Sequence, residues 1–245
     1  MLELAKDSSV VKIQFEAIWS LTNIASNESQ FVLKLVDGGA IKILMGVIES
    51  GECNLNVVEQ AIWCLGNISG DSVLFRDNIL AMGAIEKICF YLDKAPAGSS
   101  LVRNASWTLA NFGKGKPMID IDIFKPAIFS LAKVLRENDN QEILSDIVWA
   151  FSYVTDEGGD DTIIPFIESQ VTQRLLQLLN HPNNLIAVPA LRTLGNILTA
   201  SDELTETVLD LGVLEQFTVL LDHPKKVIKK EICWTISNIT AGEST

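Results

Sequence analysis

Cationic charge is what this chain of 245 residues has least of: 19 Lys and Arg stand against 31 Asp and Glu, a formal net charge of -12. A nucleic-acid partner needs a Lys/Arg footprint on its phosphates, so direct nucleic-acid binding is not expected. An acidic surface attracts basic partners, though acidity serves solubility equally, and charge alone does not choose between the two. Histidine is nearly missing. The only two, His181 and His223, each precede a proline in a loop, and no serine or cysteine nucleophile is framed around either. An enzyme is therefore not expected. Four cysteines (Cys53, Cys64, Cys89, Cys233) form no CxxC pair and have no histidine partner. That excludes a metal site and a disulfide framework, implies no cofactor, and fits a reducing compartment. Cys64, Cys89 and Cys233 sit in apolar helical runs and read as small core residues. No stretch of 18 apolar residues and no signal peptide with a basic start is present. The expectation is a soluble intracellular protein with no membrane contact.

What is present is a short pattern that returns six times. It reads Trp19-Ser-Leu-Thr-Asn23, Trp63-Cys-Leu-Gly-Asn67, Trp107-Thr-Leu-Ala-Asn111, Trp149-Ala-Phe-Ser-Tyr153, Arg192-Thr-Leu-Gly-Asn196 and Trp234-Thr-Ile-Ser-Asn238. Successive first residues are 44, 44, 42, 43 and 42 apart. Self-similarity at this period signals a helical solenoid of the HEAT/armadillo kind. With hydrophobic content of 48%, the chain can bury a continuous core and reads as one elongated array.

In chain order, residues 1–9 read as the end of a helix that begins upstream, so the N-terminus reads as cut and 1–27 as the end of a truncated repeat. Val10–Ala25 is the first helix of the ladder, with an apolar stripe of Val10, Ile13, Ala17, Leu21 and Ile24. Repeats follow at 28–70, 71–115, 118–157, 160–200 and 202–241. In the first of these, a helix through Phe31–Val36 stops at Gly38-Gly39 and a second runs over Ala40–Ile48. After a polar loop, Ser50–Asn56, the ladder helix covers Val57–Ile68. Gly83 and Gly212 recur at the turn, Ser169-Gln170 replace it in one repeat, and Pro117 and Pro126 punctuate another. Pro189 falls inside a ladder helix and should kink or delay it. Three helices per repeat, the first short, predict an all-α fold: a right-handed armadillo-repeat superhelical solenoid.

Residues four apart share a helix face, so each repeat offers a Trp (or Arg) beside an Asn (or Tyr). Trp alone reads equally well as core. Asparagine is a poor helix former and is not expected in five of six equivalent helices without a task. Ala61, Ile62, Leu65 and Ile68 already supply a core face beside Trp63. The pair is then left for a concave surface suited to an extended peptide. Carboxamides can hold a strand's C=O and N–H, and slots between indoles take the methylenes and charge of Lys or Arg. Acids at the slot ends would complete recognition. Candidates are Asp71, Asp146, Asp156, Glu16 and Glu231, with Gln60 and Asn104 as neutral partners.

The strings QFEAIWSLTNIAS, EQAIWCLGNISGDS, RNASWTLANFGKGKP, VPALRTLGNI and KKEICWTISNITAG resemble the importin-α (karyopherin-α) family, in order and including the exceptions Tyr153 and Arg192. The resemblance implies a nuclear import adaptor that shuttles between cytoplasm and nucleus. It implies a major site for Lys/Arg-rich nuclear-localisation signals made of Trp19, Asn23, Gln60, Trp63, Asn67, Asp71, Asn104, Trp107, Asn111, Asp146 and Trp149. A partial minor site would hold Tyr153, Arg192, Asn196, Glu231, Trp234 and Asn238. Implied partners are basic cargo proteins, importin-β through an N-terminal segment absent here, and an export receptor reached through later repeats. Two positions depart from the family pattern: Asn27 stands where a glycine is usual and Val32 where a threonine helps hold the signal. An armadillo scaffold of the adhesion or signalling type is the alternative, but such grooves are lined with Lys and Arg, and only Arg192 lies in this ladder.

Overall fold

The computed structural model describes residues 1–6, 10–50, 54–156 and 158–240, all helices and connecting turns. The chain divides into two compact units, Met1–Ser130 and Leu131–Thr245. The first unit contains α1 (Leu2–Lys6), α2 (Val11–Ala25), α3 (Ser29–Asp37), α4 (Ala40–Glu49), α5 (Leu55–Asp71), α6 (Val73–Leu80), α7 (Ala84–Lys94) and α8 (Ser100–Phe112). Helix α9 (Ile121–Glu137) carries the chain onward. The second unit holds α10 (Gln141–Val154), α11 (Asp160–Glu168), α12 (Val171–Leu178), α13 (Asn184–Ile197), α14 (Asp202–Leu209), α15 (Val213–Leu220) and α16 (Lys226–Thr240). No described helix is long and apolar enough to cross a membrane.

Each recurrent pattern lies on a long helix, and these helices pack side by side within their unit. Helix α5 lies between α2 and α8 in the first unit, and α13 between α10 and α16 in the second. The reason is in the apolar spacing. Val57, Val58, Ala61, Ile62, Leu65 and Ile68 of α5 are fully buried, which is the two-sided burial a central helix needs. Two shorter helices precede each of α5, α8, α13 and α16, and the turn between them has a fixed backbone. Gly39, Gly83 and Gly212 adopt φ of 86°, 70° and 83°, and Gln170 fills the same place at 57°. Left-handed backbone is cheap for glycine and costs other residues.

Several sequence expectations are revised. Helix α5 begins at Leu55, so Asn54 is its cap, the Asn54 side chain accepting from the Asn56 N–H; residues 51–53, including Cys53, lie outside the described residues. In α2 the stripe was placed too early: Val10 and Ile13 are exposed, while Ala17, Ile18, Leu21 and Ala25 are buried. Pro189 does not delay its helix, which starts at Asn184 with Asn183 capping it. The carbonyl that Pro189 leaves without its helical donor is that of Leu185, and Ser145 Oγ donates to it at 3.2 Å. A single lost bond is thereby replaced from the neighbouring ladder helix. Cys64 and Cys89 are buried as expected, whereas Cys233 is exposed. It stands off the buried row of α16, which is Ile228, Ile232 and Thr235.

Arginines fasten the connections. Arg76 is almost wholly buried and donates to the carbonyls of Lys114 (2.6 Å) and Pro117 (2.9 Å), fixing the segment after α8. In the second unit Arg174 donates to Leu135 O and Asn138 O. Such charge-assisted bonds satisfy carbonyls that a helix end leaves open.

Candidate peptide-binding surface

In the first unit Trp19 and Trp63 are exposed, 46% and 36% respectively, and Trp107 is half-buried. Large apolar rings left at the surface in register on neighbouring helices are not core residues. Why Trp107 stands where it does is legible in its neighbour. A Cβ added at Gly66 would lie 2.6 Å from Trp107 Cζ3 and 2.5 Å from Thr108 Oγ1, so the indole lies directly over the α5 backbone. Gly195 is crowded in the same way in the second unit, by Thr235 Oγ1 at 2.6 Å and less tightly by Trp234 Cζ3 at 3.3 Å. The position three after each ladder Trp or Arg holds Thr22, Gly66, Ala110, Ser152, Gly195 and Ser237. This row of small residues was present in the repeated pattern and was not singled out. It sets how closely successive ladder helices approach.

The asparagines do two things. Asn67 Nδ2 donates to Thr22 O at 3.2 Å, and Asn111 Nδ2 to Gly66 O at 3.3 Å. Each carboxamide thus clips its helix to the preceding ladder helix through a carbonyl that has a second lone pair. Asn111 is 5% exposed, and its Oδ1 accepts from Lys114 Nζ at 2.8 Å. Asn23 is exposed. Asn196 repeats the arrangement in the second unit, donating to Ser152 O and Thr155 Oγ1.

Gln60 departs from the expected role. It is 6% exposed and its Nε2 donates to Thr22 Oγ1 at 2.9 Å, so it is a buried bridge between α5 and α2. Asn104 is half-buried, and its Nδ2 donates to Glu59 Oε1 at 2.7 Å. Glu59 also accepts from Ser100 Oγ at 2.9 Å. Sequence reasoning passed over Glu59, although it lies four residues before Trp63 on the same face.

A depression of about 300 Å³ opens between the rows, lined by Asn27, Asn67, Gly70, Asp71, Trp107 and Asn111 among others. Asp71 is half-buried, and Ser29 Oγ donates to its Oδ1 at 2.6 Å. An acid, carboxamides and an indole edge in one concavity are groups of the kind that a cation on an apolar stem would need.

The second unit has its own concavity, about 390 Å³, lined by Tyr153, Asp156, Arg192, Asn196, Lys230, Glu231 and Trp234 with Ser152. Trp149 and Tyr153 stack at 5.6 Å between centroids. Arg192 lies 6.0 Å from the Trp149 ring and pairs with Glu231 at 3.0 Å. Trp234 is exposed and Asn238 half-buried. Lys230 was not among the expected residues. Asp146 and Trp149, assigned to the major site on sequence, stand on α10 of this unit, both half-buried.

A family model, the Armadillo/beta-catenin-like repeat, matches residues 160–199 and 201–241. Importin subunit alpha-1a of Oryza sativa subsp. japonica is 44% identical over 232 residues, which are 94% of this chain and 43% of that protein. Importin subunit alpha-3 of Arabidopsis thaliana is 43% identical over 224 residues, 91% of this chain and 41% of that protein. The chain spans less than half the length of these relatives. Among solved structures, a designed armadillo repeat protein in complex with the peptide (KR)4 has a TM-score of 0.83 at 20% identity, covering 97% of this chain and 98% of its own. A computationally designed armadillo repeat protein for modular peptide recognition gives 0.85 at 20%, with the same two coverages, 97% and 98%. The fold is that of armadillo repeats, and with 44% identity to a plant importin-α over 94% of its length, the chain belongs to the importin-α family.

Proposed function

We propose that this chain binds Lys/Arg-rich nuclear-localisation signals as extended peptides, and that the protein acts as a nuclear import adaptor moving between cytoplasm and nucleus. The observation that carries the proposal is the Asp71 depression, edged by the half-buried Trp107 indole in a row with the exposed Trp19 and Trp63 of the first unit. A lysine entering it meets a carboxylate, while its methylenes pass along Trp107. Asn23 and the remaining carboxamide capacity of Asn67 hold the peptide backbone. Asn104, aimed by Glu59, lies one ladder step on; Asp146 and Trp149, which the family resemblance assigns to the same signal, stand on α10 of the second unit. Tyr153, Arg192, Asn196, Glu231, Trp234 and Asn238 form the partial minor site. Importin-β and an export receptor are the further partners of the whole protein. A scaffold for acidic or phosphorylated partners is disfavoured, because Arg192, the one arginine at a ladder position, is already paired with Glu231.

Calorimetric titration with a Lys-rich peptide and with its Lys-to-Glu counterpart tests the proposal. The basic peptide is expected to bind and the acidic one not. Preference for the acidic peptide would overturn it in favour of the scaffold.

A further inference from the structure

One ladder helix packs on the next through contacts that recur. The Asn four residues after a ladder Trp or Arg donates to a carbonyl of the preceding helix, that of the small residue three after its own Trp. Asn67 donates to Thr22 O, Asn111 to Gly66 O and Asn196 to Ser152 O. Lower in the step, the residue three before one Trp meets the residue four before the other: Asn104 Nδ2 donates to Glu59 Oε1. Helix α2 has one ladder neighbour among the described residues, α5, and α16 has one, α13. Each keeps the opposite half of such a step. On α2, Asn23 and Glu16 are exposed, and neither side chain has a hydrogen bond or ion pair among the described residues. Beside them opens a chiefly apolar groove of about 400 Å³, walled by Leu4, Val10, Lys12, Ile13 and Glu16 among others. On α16, Ser237, Lys230 and Val227 are exposed, Ser237 three after Trp234 and Lys230 four before it. Apolar side chains such as Val10, Ile13 and Val227 on an outer face are the opposite of the polar surface that keeps an end repeat in water.

We infer that α2 of one copy packs against α16 of a second copy as a further ladder step, so that this chain associates head to tail. Asn23 donates to Ser237 O of the second copy, as Asn67 does to Thr22 O. The place beneath Trp19 is then held by Ser237, which is smaller than the Thr22 that already accepts a ladder neighbour. Val10 and Ile13 leave water against Val227 and the methylenes of the α16 lysines. Glu16 meets Lys230 at the positions that Asn104 and Glu59 occupy in the first unit. Charge favours this pairing over two α16 faces together, because Lys226, Lys229 and Lys230 crowd the start of that helix. Lys12 is the like charge at the contact, and it stands four residues before Glu16, on the same helix face. The interface is heterologous: each junction leaves one free head and one free tail, so assembly grows with concentration.

The test needs no peptide. Sedimentation velocity of the full chain over a range of concentrations should show the average mass climbing above that of one chain. Glu16→Lys or Lys230→Glu, each alone, sets like charges at the junction and should hold the protein at single-chain mass over the same range. An equimolar mixture of the two variants should associate again, because each offers the other an opposite charge at both ends. Both residues are exposed, so the melting temperatures should stay with the parent's. A parent that keeps the mass of one chain at every concentration overturns the inference and leaves the two faces to flanking sequence of a longer protein. Association that neither variant weakens puts the contact elsewhere and overturns the head-to-tail step. A mixture that fails to associate overturns the pairing of Glu16 with Lys230, and the step with it.

Discussion

At the residue scale, the ladder's side chains carry two tasks that substitution can separate. Asn111→Ala removes the bonds to Gly66 O and Lys114 from a buried site. Net hydrogen bonds of this kind contribute about 0.5–1.5 kcal/mol each, partly offset by alanine's better helix propensity. Both melting temperature and peptide affinity should fall. Asn23→Ala, at an exposed position, should lower affinity alone; thermal melts and titrations on the same preparations distinguish the two. Asp71→Lys sets a like charge in the depression. The cost to binding should be roughly 2–5 kcal/mol, on the order of 30-fold or more, while the lost Ser29 contact, at an exposed edge, changes stability by less than about 1 kcal/mol. A folded Asp71→Lys protein that binds normally would remove Asp71 from the site. Burial pushes the Cys64 and Cys89 thiols up to about 12, outweighing the Thr22 and Ser130 hydroxyls that act the other way. At pH 8 both remain protonated and shielded, so iodoacetamide should label Cys233 in the native protein before either of them. Peptide mass spectrometry reads the order. The sequence told the types of these residues well and their allegiance poorly. Gln60 and Asn111 look like ligand contacts by spacing, yet whether a carboxamide faces a peptide or a neighbouring carbonyl depends on a helix some forty residues away.

At the element scale, the close approach of ladder helices is set by small residues, and two glycines make the point with opposite signs. Gly66→Ala drives a Cβ into Trp107 and Thr108; overpacking of this kind costs about 1–3 kcal/mol and should lower the melting temperature and disturb the Asp71 depression. Gly46→Ala, in α4 with nothing within 4 Å of the new Cβ, should instead stabilise by about 0.5–1 kcal/mol. Equal effects from the two would contradict the packing described for Trp107. The helices themselves were readable because apolar spacing and turn glycines agree. Gln170 shows where that reading stops: its backbone is left-handed like that of Gly39, but only its place in the repeat suggests it. Pro189 shows the converse, a local breaker overruled because Ser145 supplies the missing donor.

At the scale of the whole molecule, a surplus of twelve negative charges and an acid in the site make binding of a basic peptide sensitive to ionic strength. Affinity should fall as salt rises, since the partly exposed ion pairs are screened within about 8–10 Å at physiological salt, but it should not vanish, because ring packing and carboxamide bonds persist. Titrations at several salt concentrations check this. The repeat period was legible from the six-fold pattern, since periodicity survives substitution, and the family from the resemblance of the longer strings around it. Which tryptophans are exposed was not, because Trp suits core and surface equally. That exposure is the central claim, and the chain's five tryptophans allow it to be tested directly. Indole N–H resonances of ¹⁵N-labelled protein, assigned by mutation, are followed during titration with a Lys-rich peptide. The account predicts that Trp63 and Trp107 shift together, with the dissociation constant found by calorimetry, and that Asp71→Lys abolishes both shifts. Binding of the peptide with these indole resonances unmoved would contradict it.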